Sequence, residues 1–378
     1  MASAKGSESF LPTDDSDVLE TLPRIFFSGR DELRKLRSQL DANPNNVQLA
    51  RKLANHWIQL GRQESDPRFY GYARAAISPW WKAASPPPQI LKVRAKLKER
   101  DHDYEAAVAD LALLLQLQPR DVQAWIELAN IYRVQGKYAE SQRACDRLAD
   151  FAGQAQSMFC RIPLLAVTGQ AEHAYEALAA ILPETRSRWP GAVQWILTMQ
   201  ADVARALGRE EQAEQHYLEG RENDPGDKYL LRSYADYLLD CGREEEVLTL
   251  LRDDCKDTGI LLRAAIAAKR LGEDSIAANW LAQLEGRFDE IRLRGGEPHG
   301  RFESRCALEL QEDAQQALKL ALTNWQKQKE PRDTRNVLEA AIAANDLVRV
   351  QPVLEFLKRH GTEDVVLRKL VGQLGDNE

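Results

Sequence analysis

The sequence predicts an all-α solenoid with no β-sheet, and three observations carry that prediction. A helix-turn-helix pattern recurs about every 34 residues. Within each unit, small residues and a turn glycine fall at fixed places. The composition, rich in Ala, Leu, Glu, Arg and Gln, with 44% hydrophobic and 29% charged residues in 378, is that of helices rather than strands.

The clearest unit runs from Asp121 to Leu148, behind Pro119. Trp125, Leu128, Ala129 and Tyr132 sit three and four apart and form one sticky helical face. Tyr138, Ser141, Cys145 and Leu148 form a second face, and Gly136 supplies the left-handed turn between the two helices. Ala129 and Ser141 are small enough to let the helices approach. Neither helix can bury its face alone, so the unit requires neighbours.

Along the chain, residues 1–28 read as an acidic, Pro-punctuated extended arm, LPTDDSDVLETLP at its centre. Residues 29–374 read as the solenoid and 375–378 as a tail. Gly29 to Ala42 reads as a capping helix. Val47 to Gly61 is a first helix whose partner, Phe69 to Trp81, is displaced by an insertion at 62–68. The five aromatics of Phe69 to Trp81 sit at helical spacing and read as repeat-interface core rather than a ligand wall. Gln89 to Pro119 forms the next unit, with Arg94 and Lys98 at places that elsewhere are apolar. Ala155 to Arg186 is degenerate, with Pro163 expected to kink its first helix. Gln194 to Pro225, Lys228 to Gly259 and Thr258 to Leu284 restore the period, and two further pairs and a terminal helix complete about nine repeats. Irregularity is expected near 62–68, 186–193 and 286–300.

This spacing resembles the tetratricopeptide repeat (TPR). The resemblance implies a right-handed superhelix whose concave wall is made of the first helices and receives an extended peptide or a partner's helix. Carried over by position, the wall shows Arg51, Asn55, Lys92, Lys96, Asn130 and Arg133, then Asp202, Arg205, Arg232 and Asp236. Arg51 and Asn55 resemble half of the carboxylate clamp of chaperone-binding TPR domains, which Val93, Gln123 and Glu127 do not complete. The implied function is a non-catalytic scaffold for protein-protein interaction. An accessory subunit that presents substrate to a neighbouring enzyme is the alternative, and an RNA-binding helical repeat a lesser one. Length and start also resemble uncharacterised exported bacterial TPR proteins.

The net charge of −7 conceals an asymmetry. Residues 1–28 carry 2 basic and 5 acidic groups, residues 29–100 carry 15 and 6, and residues 101–378 carry 34 and 47. The basic first repeats point to a protein or peptide partner, possibly acidic, while overall acidity argues against nucleic acid. No run of about 18 apolar residues suggests membrane insertion. The six histidines form no ligand pair, no cysteine pair has CxxC spacing, and there is no phosphate-cradling glycine loop or GxSxG. No enzyme activity, metal or cofactor is therefore expected. Cys145 and Cys160 lie almost symmetrically about one turn and are candidates for a disulfide, with two buried thiols as the other reading. The N-terminus shows no signal segment, although Ala2-Ser3-Ala4 has the form of a cleavage site. An exported protein is expected if a signal was removed there and a cytoplasmic one otherwise.

Overall fold

A computed structural model describes residues 30–251, 255–293 and 295–375. The arm at 1–28, including its acidic cluster, lies outside the described residues. Helix α1 (Arg30–Ala42) precedes nine antiparallel pairs. These are α2 (Val47–Glu64) with α3 (Arg68–Ala76) and the short α4 (Ser78–Trp81), α5 (Pro88–Arg100) with α6 (Tyr104–Leu117), and α7 (Val122–Val134) with α8 (Tyr138–Ala149). Next come α9 (Gln154–Leu165) with α10 (Ala171–Arg188), α11 (Pro190–Ala206) with α12 (Glu210–Asn223), and α13 (Lys228–Asp240) with α14 (Glu244–Leu251). The last are α15 (Thr258–Arg270) with α16 (Asp274–Leu293), α17 (Gly300–Glu309) with α18 (Ala314–Lys327), and α19 (Pro331–Ala344) with α20 (Gln351–His360). Helix α21 (Val365–Gly375) ends the stack, and no strand occurs among the described residues.

Each pair turns on one residue in the left-handed region. Gly136, Gly169, Gly208, Gly242 and Gly272 serve five units, while Ser65, His102, Glu312 and Asn345 adopt the same conformation in the other four. The non-glycine turns show that this geometry is imposed by packing of the helices, since such residues enter it only at a cost. Between the helices, Ala54, Ala95, Ala129, Ala201, Ala235 and Ala265 are buried at equivalent places. Ser141 Oγ donates to the Ala129 carbonyl at 2.8 Å, so the small polar residue is satisfied inside the contact. Asp side chains at 103, 121, 227, 257 and 313 accept from first-turn amides and fix where helices start.

The expected irregularities are mostly absorbed into helices. Residues 62–64 extend α2, and the Phe69 to Trp81 segment breaks at Ile77 because Pro79 opens α4. Near 186–193 only Trp189 interrupts, with Pro190 as the first residue of α11. Residues 286–293 belong to α16. The two polar departures of the second unit, Arg94 and Lys98, have a structural role. Arg94 is buried, donates to both Asp110 oxygens and also to the carbonyls of Trp80, Trp81 and Ala83 at 3.0, 3.1 and 2.9 Å. It thereby caps the end of α4, and Lys98 reaches the same carboxylate at 2.8 Å.

The superhelix closes on itself at a regular interval. Ser65 Oγ donates to Asp257 at 3.3 Å, 192 residues on. The His102 and His299 rings meet with centroids 4.9 Å apart. Arg133 pairs with Glu330 at 3.2 Å across 197 residues, and the Lys329 amide donates to the Val134 carbonyl. The Ala171 amide donates to Glu363 across 192 residues, and Thr362 Oγ1 donates to the Val167 carbonyl across 195. Each contact joins one repeat to the sixth after it, so a single superhelical turn takes about six units and the next turn lies directly on the first.

Candidate functional site

The first helices face the superhelical axis, and an axial cavity of about 170 Å³ is lined by residues from α7, α9, α11, α13, α15, α17, α19 and α21. Ion pairs span the axis. Arg332 donates to both Asp202 oxygens at 3.2 and 3.0 Å. Arg335 donates to both Asp240 oxygens at 2.9 and 2.7 Å, and Arg205 pairs with the same carboxylate. Asp236 is held by Arg263 at 2.6 Å and by Arg305. Arg301 donates to Asp333 and Glu330, and Asn324 also donates to Asp333.

Burial opposes ionisation of Asp236, Asp240 and Glu330, yet the guanidinium groups outweigh it, whereas at Asp333 burial prevails and raises the pKa. Asp236 is held well below the usual carboxylate range by Arg263, Arg305 and Arg332, and Glu330 is held at about 2 by Arg133 and Arg301. Removing one member of such a pair strands a buried charge and costs about 3–5 kcal/mol. The tyrosine hydroxyls join in, with Tyr217 and Tyr229 both donating to Asp202 at 2.7 and 2.9 Å.

The wall residues expected from sequence separate into two groups. Arg133, Asp202, Arg205 and Asp236 reach across to the last repeats or into the pairs just described, and Arg232 pairs with Asp257 at 2.9 Å. Asn130 bridges Glu99 and Arg133 within its own turn. Across their stretch of groove the chain's own α17, α19 and α21 form the opposite side of the cavity. At the other end, Lys92 pairs with Asp121 at 2.6 Å and Lys96 with Glu127 at 3.3 Å while both remain about a third exposed. Arg51 is half-buried and, among the described residues, reaches Gln48 at 3.4 Å, and Asn55 one turn on is also half-buried. Arg51 and Asn55 lie on α2 and Lys92 and Lys96 on α5, two first helices that pack against each other.

Sequence reasoning missed the other half of the axial network: Arg301, Arg305, Glu330, Arg332, Asp333 and Arg335. A signal was present, because these charges fall three and four apart on first helices, on the face that points inward in earlier units. Cys145 and Cys160 are joined by a disulfide with Cα atoms 5.5 Å apart, tying α8 to α9, while Cys241, Cys255 and Cys306 are free thiols. Among the described residues, no group of three or more His, Cys, Asp or Glu is placed to hold a metal. None of their helices is long and apolar enough to cross a membrane.

No protein-family model matches the chain, and no curated protein matches its sequence. Solved structures do. Human IFIT1, as a dimer with m7Gppp-AAAA, matches with a TM-score of 0.52 at 13% identity, over 92% of this chain and 79% of IFIT1. A tetratricopeptide repeat protein from Parabacteroides merdae ATCC 43184 matches at 0.44 with 15% identity, over 69% of this chain and 95% of its own. Yeast Tom70 matches at 0.41 with 8% identity, over 93% and 86%. At these identities the likeness to IFIT1 shows the fold, an all-α helical-repeat solenoid, and the recurring positions resemble those of the tetratricopeptide repeat.

Proposed function

We propose that the protein is an interaction scaffold that takes an acidic protein segment on the open wall of its first two repeats, at Arg51, Asn55, Lys92 and Lys96. The observation that supports this is the division of the wall. Where the groove meets the last repeats its charges are spent on the chain's own helices, whereas the lysines of α5 keep a third of their surface in water and, among the described residues, pair with Asp121 and Glu127, whose side chains are about a tenth exposed. The water-facing part of each ammonium is left free to meet a second, incoming carboxylate, while water screens that side of the pair. The direct test uses the labelled peptide LPTDDSDVLETLP, residues 11–23, as the acidic probe. It is titrated into the full chain carrying Asp14, Asp15 and Asp17→Asn so that the arm does not compete. Binding that weakens with salt and is lost in the Lys92→Glu, Lys96→Glu variant is expected, with Arg147→Glu on α8 as the control. Equal binding by the two variants overturns the reading.

A second reading, capture of an RNA end, draws on the arginines of the axis and on the fold shared with IFIT1, whose structure holds m7Gppp-AAAA. The acidity of the chain and the pairing of those arginines weigh against it. A labelled triphosphorylated oligo(A) that binds more tightly than the peptide would favour RNA.

A further inference from the structure

We infer that the axial cavity is a binding site for a small amphipathic organic anion, a carboxylate or phosphate monoester on a short apolar body. Its lining combines two kinds of side chain. Arginines come from α7, α11, α15, α17 and α19, while α9, α11 and α21 contribute Pro163, Met199, Val203 and Leu367. A largely apolar concavity with a few convergent polar groups is the usual make-up of a small-molecule site.

The charge facing the space is positive even though the network as a whole is balanced. Seven arginines line the cavity against four carboxylates, Asp202, Asp236, Glu330 and Asp364. Asp240, Glu309, Asp333 and Glu339 complete the pairing without lining it. Asp364 is itself occupied, accepting from the Val366 and Leu367 amides at the start of α21. Guanidinium forks match carboxylate and phosphate oxygens two at a time, so the lining suits an anionic head.

Two groups in the cavity are incompletely used. Arg133 Nε is buried with no hydrogen-bond partner, although the same guanidinium is tied through its Nη2 to Glu330 and Asn130. Tyr229 is 45% exposed where it lines the cavity, with the Arg332 guanidinium 5.0 Å from its ring centroid. An aromatic face left open beside arginines offers stacking to a flat ligand. The volume of about 170 Å³ corresponds to a handful of waters at ~30 Å³ each. It therefore admits a ligand of about ten non-hydrogen atoms and excludes a polypeptide.

The test is calorimetric titration of the full chain with benzoate and phenyl phosphate, with benzyl alcohol lacking the charge and inorganic phosphate lacking the body. One-to-one binding of at least one aromatic anion, with both controls weaker, is expected, and the stronger of the two anions identifies the head group. Filling the cavity from its apolar lining, by Met199→Trp or separately Ala206→Phe, removes no ion pair and is expected to weaken binding by about tenfold or more. The same variants leave peptide binding on α2 and α5 unchanged, which separates this site from that wall. If neither anion binds, or if a folded cavity-filling variant binds as tightly as the parent, the inference is overturned.

Discussion

At the residue scale, the turn positions tie local conformation to closure of the whole chain. Gly136 has φ +73°, and a Cβ there would lie 2.8 Å from Lys329 and 2.9 Å from Phe356, both across the seam. Gly136→Ala is thus expected to destabilise by about 1–3 kcal/mol through left-handed strain and overpacking together, read as a lowered denaturation midpoint. His102 is a pH-sensitive residue of the seam, beside His299, whose pKa burial likewise lowers. Burial, then repulsion from Arg301, Lys327 and Arg100, lowers the His102 pKa from 6.5 to about 4. Because the folded pKa is depressed, the unfolded chain binds more protons between those values, and stability falls as pH drops through 6.5 toward about 4. His102→Gln should flatten that slope by up to roughly 2 kcal/mol, measured by urea unfolding across the window. An unchanged slope would show that this imidazole does not carry the effect.

At the scale of elements, the helices are joined by small residues and one covalent tie. Ala201 is fully buried between α11 and its neighbours, and Ala201→Leu should cost about 1–3 kcal/mol because an interior at crystal-like density has no room to accept it. The Cys145–Cys160 disulfide closes a loop of 15 residues across the α8 to α9 turn. In the chain-entropy account a loop of that length stabilises by about 3 kcal/mol. The paired Cys145→Ser, Cys160→Ser variant should therefore unfold at lower denaturant, and reductant should shift the parent by a similar amount while leaving the variant alone. A parent insensitive to reductant would show that the bridge contributes nothing measurable.

At the scale of the molecule, closure every six repeats converts an open groove into a channel whose axis is crossed by ion pairs around a cavity of about 170 Å³. Glu330 sits at the junction, paired to Arg133 of the first turn and Arg301 of the second. Glu330→Arg should part the two turns, seen as a larger radius of gyration in solution scattering and faster amide exchange at the start of α19. No change in either would mean that the turns are held by apolar contacts alone, such as Phe356 against Tyr138. The folded pKa of Glu330 is depressed to about 2, so its contribution is complete above the ordinary carboxylate pKa and is lost as pH falls below it.

Much of this was legible in the chain itself. Helical period, turn glycines and the small residues of each pair are local, so the sequence determined the repeat, the helix-pair order and the inward face that carries Arg133, Asp202 and Asp236. What the tertiary structure alone decided is where each inward charge goes. Arg332 meets Asp202 across 130 residues and Arg335 meets Asp240 across 95. Those distances depend on the superhelical pitch, which is the accumulated sum of small rotations between successive repeats. No single repeat encodes that sum, and it is what separates an open wall at Lys92 and Lys96 from a closed axis at Arg332.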